Sequence, residues 1–241
     1  TRQVFFNDVK VPLNHMLSER GNGFKIAMNA LNVGRIKLSV ACMDSVRRIT
    51  SLSTQYANER HQFGQPIAQF GAIKSKLAEM ASKVYAAESM TYRAGQDIED
   101  EINRLASEGA DPQTSKLKGV EEYAIECAIA KVHGSEVLDY IVDEGVQVYG
   151  GMGFSEDAPM SSAYRDARIA RIYEGTNEIN RMLTVGMILK KALKGELDLM
   201  TPAMSVANEL MSIPSFDTPD YDELLAEEQE ILGKLKKAIL M

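Results

Sequence analysis

The chain has 241 residues, enough for one large domain or for one domain with an appendage. Apolar residues make up 45% and charged residues 25%, and no uncharged apolar run is long enough to cross a bilayer. The net charge of -7 comes without a block of Lys and Arg, which argues against nucleic acid as a partner.

Cys42 and Cys127 lie on apolar helical stretches, so we expect buried free thiols and a reducing compartment. The three histidines are scattered, and none has the spacing of a metal ligand.

The first residues have the pattern of a β-strand, with apolar side chains on either side of Asn7-Asp8 and Pro12 at the end. A lone strand is not stable, so its partners are expected in sequence that is missing here. The chain also lacks an initiator Met, and we therefore expect a piece of a longer protein or a processed product.

A helical period begins at Gly23 and produces four long apolar stripes. They cover residues 31–56, 70–98, 117–149 and 179–193, and a short helix is predicted near 161–170. Antiparallel stripes of this kind bury one another, which predicts an all-α fold, a four-helix up-down bundle. We expect residues 1–20 to be a strand and linker, 21–195 the bundle, and 196–241 an extension. In that extension the prolines at 202, 214 and 219 indicate a linker over 200–220, and residues 221–241 form an amphipathic pattern.

Two loops of this bundle carry groups suited to a cofactor. In the segment 58–64, Arg60 offers a fork for a diphosphate and Phe63 offers a stacking face, although a solvated helix end has the same composition. In the segment 147–154, Gln147 precedes glycines that allow a flat ligand to approach, although they also suit a plain helix stop. A di-iron site is excluded, because no Glu stands three residues before a His.

A third segment, 164–178, places a carboxylate in a turn before a helix. Glu174 stands beside Tyr173, Gly175 and Thr176. A carboxylate in an apolar pocket is suited to act as a general base. A surface Glu near a helix N-terminus is the alternative interpretation of this segment alone.

Together the three segments resemble the acyl-CoA dehydrogenase family. Its members carry Arg-x-x-Phe-Gly, then Gln-x-x-Gly-Gly-x-Gly-Phe, then Arg-Asp followed by Tyr-Glu-Gly-Thr, which match residues 60–64, 147–154 and 165–176 here. The resemblance covers residues 1–195, the last strand of the family's middle β-domain and the whole C-terminal bundle. The family's N-terminal helical domain and most of its β-domain are absent from this chain.

The resemblance implies FAD as cofactor, bound between the β-domain and the bundle and reaching a neighbouring subunit. The residues that would contact the FAD of the partner subunit are Arg60, Gln62, Phe63, Gln147 and Gly151. Thr176 and Glu178 would lie on the flavin side of the turn. At the position of Glu178 the family often has Gln. No metal is implied.

The implied reaction is the α,β-dehydrogenation of an acyl-CoA to a trans-2-enoyl-CoA in fatty acid β-oxidation. Glu174 would remove the α-proton, and the β-hydrogen would leave as hydride to flavin N5. The main-chain N–H of Glu174 would polarise the thioester carbonyl together with a flavin hydroxyl, beside Tyr173 and Gly175. Some members carry the base at the position of Gly34, which glycine excludes here. Arg35 resembles a family Arg near the acyl pocket, and a helix-face salt bridge is its alternative role.

The extension beyond residue 195 resembles the very-long-chain type and favours a long-chain substrate. An electron-transfer flavoprotein as acceptor and a homo-oligomer, dimer or tetramer, are implied as partners. We expect a bacterial cytoplasm or a mitochondrial matrix, with membrane association only through the extension. Without the missing domains this chain is expected to bind FAD weakly and to lack turnover. The alternatives are an acyl-CoA oxidase and a helical scaffold that kept the fold without the chemistry.

Overall fold

Helices make up most of the chain in the computed structural model, which describes residues 2–211 and 224–241. Nine α-helices are present in those residues: α1 (Gly23–Glu59), α2 (Gly71–Ser107), α3 (Pro112–Glu122), α4 (Ala124–Tyr149), α5 (Gly151–Phe154), α6 (Pro159–Arg168), α7 (Asn177–Leu193), α8 (Met200–Met211) and α9 (Ala226–Leu240). Short 3-10 turns lie at Leu13–His15, Ile67–Gln69 and Ile169–Arg171. The predicted all-α fold is therefore confirmed.

Helices α1, α2 and α4 form the core of a helical bundle. The apolar stripe predicted for α1 is buried at Leu38, Cys42, Val46 and Ile49, where α4 packs against it. Such a stripe removes apolar surface from water, which is the main favourable term in folding. The first turn of α7, the fourth long helix, is buried at Asn177 and Asn180.

Glycines let α1 and α4 run side by side in the same direction. A Cβ added to Gly134 would lie 2.9 Å from Ser39 Oγ and 3.3 Å from Ser39 Cα, and one added to Gly145 would lie 2.9 Å from Ile49 Cγ2. Farther along, the rings of Tyr56 and Tyr149 stack with their centroids 4.0 Å apart. The C-terminal ends of α1 and α4 therefore lie at the same end of the bundle.

The third predicted helix is divided at Tyr123 into α3 and α4. Helix α3 begins earlier than the apolar stripe indicated, because Asp111 caps it and Pro112 occupies its first position. The Asp111 Oδ1 atom accepts hydrogen bonds from Gln113 N and Thr114 N, both at 3.0 Å.

The predicted leading strand is not formed in the described residues 2–12, so that prediction was wrong for this chain. Val4, Phe5 and Phe6 are 72–80% exposed, because within residues 2–211 and 224–241 no strand lies beside this segment to cover these side chains. A two-stranded antiparallel sheet, β1 (His61–Gln62) and β2 (Gln65–Pro66), occurs instead in the loop after α1. Its two-residue turn has positive φ at Phe63 (51°) and Gly64 (84°), as a tight hairpin turn requires.

The linker predicted over 200–220 was wrong for its first part, where helix α8 forms. Pro202 lies in the first turn of α8, where a missing N–H leaves no hydrogen bond unmade, and Asp198 Oδ1 caps Thr201 N at 3.0 Å. The other two prolines and the predicted helix start at 221 lie outside the described residues, and α9 follows from Ala226.

The chain divides into one compact unit up to Thr184 and a second from Val185 onward. No helix in the described part of the chain is long and apolar enough to span a membrane.

Candidate active site

The turn that carries Glu174 has an unusual backbone. It connects the 3-10 turn Ile169–Arg171 to the start of α7, and φ is +60° at Glu174 and +82° at Gly175. A residue other than glycine in the left-handed region costs on the order of 1–3 kcal/mol and persists only when its surroundings hold it there. Such strain is concentrated at functional sites, so this turn is the first candidate.

Side chains from three helices hold the carbonyl oxygens of the turn. Asn180 Nδ2, on α7, donates to Glu174 O at 3.3 Å and to Gly175 O at 2.8 Å. Arg35 Nε, on α1, donates to Glu174 O at 3.3 Å, and Lys131 Nζ, on α4, donates to Gly175 O at 2.8 Å. These contacts draw the carbonyl groups toward the bundle and hold the left-handed turn in place.

The Glu174 carboxylate lies against α1 at Gly34. A Cβ added at Gly34 would meet Oε2, Cδ and Oε1 of Glu174 at 2.5, 2.7 and 2.9 Å, so only glycine leaves room for this side chain. The Oε2 atom is buried and has no hydrogen-bond partner among the described residues. A buried carboxylate oxygen without a partner is costly, which favours a site that a ligand completes.

Beside Gly34, a groove of about 680 Å³ opens between the start of α1 and α3. Its lining is mostly apolar and includes Ile26, Ala30, Val33 and Leu117. This size and character are typical of a small-molecule site. Tyr173 lines a separate groove of about 380 Å³, bordered by α1, α4 and α6.

Arg35 is only 6% exposed, and its described hydrogen bonds are made to the protein. Besides Glu174 O, its Nη1 atom donates to Asn32 Oδ1 at 3.0 Å. Burial lowers the pKa of Arg35, and the nearby Glu174 carboxylate opposes that shift. Its predicted contact with substrate stays a prediction.

Lys131, Asn177 and Asn180 were missed by sequence reasoning. Lys131 is fully buried, and its Nζ atom also donates to Asn177 Oδ1 at 2.7 Å. Burial lowers the pKa of Lys131, and the positive charge of Arg35 lowers it further. The sequence did contain one indication of Lys131: it is the single charged residue in the otherwise apolar run 127–132, and a charge inside an apolar run needs a partner.

The buried cysteines do not enter the described hydrogen bonds of the turn. Cys42 and Cys127 are both free and buried, as predicted. Burial raises the pKa of each thiol to about 11, so both remain protonated near neutral pH.

The other predicted cofactor contacts lie at the opposite end of α1. Arg60, Gln62, Gln147 and Gly151 are exposed, and Phe63 is 92% exposed. About 25 residues of helix separate Gly34 from the end of α1, which corresponds to roughly 38 Å. The structure therefore divides the predicted site residues into a group around Glu174 and a group at this distant end.

Thr176 and Glu178 lie where the turn enters α7. Thr176 Oγ1 accepts a hydrogen bond from Ile179 N at 3.3 Å, and Glu178 is exposed. The Glu178 carboxylate accepts from its own main-chain N–H and from Thr176, which lowers its pKa. In the described part of the chain, no cluster of three or more His, Cys, Asp or Glu residues could hold a metal ion.

Known proteins are similar to this chain in both sequence and fold. Residues 21–189 match the family model described as "Acyl-CoA dehydrogenase, C-terminal domain". A "Probable acyl-CoA dehydrogenase" of Bacillus subtilis is 45% identical over 240 residues, which is 100% of this chain and 40% of that protein. The human "Very long-chain specific acyl-CoA dehydrogenase, mitochondrial" is 37% identical over 198 residues, 82% of this chain and 26% of that protein.

A solved structure extends the similarity to three dimensions. The crystal structure of acyl-CoA dehydrogenase complexed with FAD from Bacillus anthracis has a TM-score of 0.90 and 47% identity, covering 96% of this chain and 39% of that one. This chain thus spans about two fifths of the length of the Bacillus proteins that it matches. The chain belongs to the acyl-CoA dehydrogenase family.

Proposed function

We propose that this chain supplies the helical part of an FAD-dependent acyl-CoA dehydrogenase, with Glu174 as the base that removes the α-proton. The observation that carries the proposal is the Glu174 carboxylate, which is half-buried against Gly34 with Oε2 unpartnered. A carboxylate left free of protein partners in a strained turn is available to a substrate proton. The acyl-CoA dehydrogenase relatives support the class of enzyme.

The groove beside Gly34 suits an acyl chain. Its apolar lining would cover the methylene groups, and Gly34, against which the Glu174 carboxylate lies, is one of the lining residues. The described hydrogen bonds of the turn use its carbonyl oxygens, and the N–H of Glu174 is left for a thioester oxygen. Polarising that oxygen makes the α-proton acidic enough for a carboxylate to remove.

Bound FAD would supply the hydride acceptor for the β-hydrogen, while Glu174 takes the α-proton. The residues at the far end of α1 fit this cofactor by their chemistry. Arg60 supplies a fork for a diphosphate, and Phe63 holds an aromatic ring in solvent at positive φ. Because these residues lie roughly 38 Å from the turn, we propose that they bind the FAD of a partner subunit.

A complementation experiment tests the shared site. Glu174→Gln and Arg60→Ala are each expected to be nearly inactive alone in the full-length protein that contains this chain. Hybrid dimers of the two variants are expected to recover about half of the unmodified activity, because one of their two sites is intact. The readout is acyl-CoA-dependent dye reduction by hybrids purified through two different tags. Hybrids as inactive as the parents would show that both groups do not belong to sites shared between subunits.

Anaerobic titration tests the reaction and the acyl chain length. Acyl-CoAs of increasing length are added to the full-length protein, and the loss of flavin absorbance is followed. We expect bleaching by long-chain substrates and electron transfer to an electron-transfer flavoprotein. Bleaching by short chains alone would contradict the long-chain assignment. In a separate aerobic assay, oxygen consumption as fast as flavin reduction would favour an acyl-CoA oxidase. If no acyl-CoA bleaches the flavin, the result favours the alternative of a helical scaffold that kept the fold without the chemistry.

The remaining proposals concern the whole enzyme. We propose a homo-oligomer, dimer or tetramer, in a bacterial cytoplasm or a mitochondrial matrix, since the relatives include bacterial and mitochondrial proteins. Membrane association, where it occurs, is assigned to residues 196–241. This chain alone is expected to bind FAD weakly and to lack turnover.

A further inference from the structure

We propose that Lys131 is a positioning residue for Glu174, holding the turn that carries the base from inside the bundle. The inference rests on the proposed function, because it takes Glu174 as the base. Lys131 is the largest fully buried side chain among the described residues. Lysine is almost never fully buried unless it is paired, so its place in this core requires a compensating role.

Both described hydrogen bonds of Lys131 serve the start of α7 and its turn. The Nζ atom donates to Gly175 O at 2.8 Å and to Asn177 Oδ1 at 2.7 Å. One bond joins α4 to the first residue of α7, and the other joins α4 to the turn that precedes α7. The ammonium group therefore connects the core to Gly175, the residue that directly follows Glu174.

Bundle stability alone does not account for a lysine at this position. Burying a lysine ammonium group carries a desolvation cost that an apolar side chain of similar volume would not carry. Burial lowers the pKa of Lys131 most and the charge of Arg35 lowers it further, while Cys42, Glu178 and Glu174 oppose that shift. An amine keeps two N–H groups even when it is neutral, and two are enough for both hydrogen bonds.

Without Lys131 the turn would lose one of the hydrogen bonds that hold it, next to the left-handed backbone of Glu174. Gly175 O would keep Asn180 as its described partner, and Asn177 Oδ1 would keep Ser135 at 3.3 Å. The left-handed φ at Glu174 would then be less firmly held, and relaxation there moves the carboxylate away from Gly34. Misplacing a reacting group by about 1 Å can cost on the order of 10²-fold in rate.

The test is Lys131→Met in the full-length protein. We expect kcat to fall on the order of 10²-fold while the KM for acyl-CoA and the FAD content stay unchanged, since only the reacting group is displaced. Lys76→Met is the matched control, because Lys76 is a partly buried lysine that pairs with Glu144 between α2 and α4, away from the turn. Its kcat is expected to match that of the unmodified protein.

A double variant separates positioning from a general structural role. In a Glu174→Gln background the base is already absent, so Lys131→Met should slow flavin bleaching no further. An equal further loss in that background, or unchanged kcat in Lys131→Met, would overturn the inference and leave the proposed function standing. If Glu174→Gln itself has no effect, the proposed function fails first. Should Lys131→Met not fold, Lys131→Gln carries the same test with the same outcomes, since its shorter side chain loses the reach to Gly175 O.

Discussion

Replacing Glu174 by Gln in the full-length protein is expected to slow flavin bleaching by acyl-CoA about 10²–10⁴-fold. Glutamine has nearly the same shape and fills the same space against Gly34, but its amide does not accept the α-proton. FAD content and acyl-CoA affinity are expected to stay unchanged, because the volume and the turn are preserved. The measurement is the rate of absorbance loss after rapid anaerobic mixing.

The matched control is Glu144→Gln. The side chain of Glu144 is 15% exposed and pairs with Lys76, far from the turn, so it tests the loss of a partly buried carboxylate elsewhere in the bundle. Its bleaching rate is expected to be that of the unmodified protein. Equal rates in all three proteins would show that another group removes the proton, and the role proposed for Lys131 would fall with that of Glu174.

The long helices and the order of the motifs could be read from the sequence because their signals are local. Apolar residues at helical spacing mark the buried faces of α1, α2 and α4 wherever a neighbouring helix exists. Short segments with fixed residue types, such as 173–176, retain their meaning without knowledge of the fold. The same reasoning placed Glu174 in a turn before a helix, which the structure bears out.

The contacts that hold the turn could not be read in the same way. Lys131 is 44 residues from Gly175 and 46 from Asn177, and only the packing of α4 beneath the turn brings them together. No local spacing encodes such a contact, and Asn177 and Asn180 look like ordinary polar residues at the start of a helix. The role of Gly34 in making room for Glu174 is equally invisible without the close approach of α1.

The ends of the chain show the opposite error, in which a local signal was followed although its context differed. The apolar residues 4–6 have strand character, but a strand needs a neighbour, and the described part of the chain places none beside them. Pro202 suggested a linker, yet proline is compatible with the first turn of a helix, where α8 places it.

Gly34→Ala is expected to lower kcat on the order of 10²-fold while the protein remains at least as stable. Alanine in place of glycine within a helix gains roughly 0.5–1 kcal/mol of folding stability. The added Cβ, however, would lie 2.5 Å from Oε2 of Glu174, at the far end of a flexible side chain. The helix can accept the methyl group because the carboxylate can move. The substitution therefore displaces the base and lowers kcat, while the free energy of unfolding is not reduced.

Gly95→Ala separates these two effects, because Gly95 lies within α2 and an added Cβ there meets nothing within 4 Å. Both variants gain the same helix propensity, and we expect Gly95→Ala to raise the unfolding temperature with kcat unchanged. Thermal unfolding and steady-state kinetics of the two full-length variants are then compared side by side. A Gly34→Ala variant with normal kcat would mean that the carboxylate works from a place other than the wall of α1. Loss of kcat in Gly34→Ala alone, with its stability retained, would show that Glu174 needs a glycine at position 34 in order to act as the base.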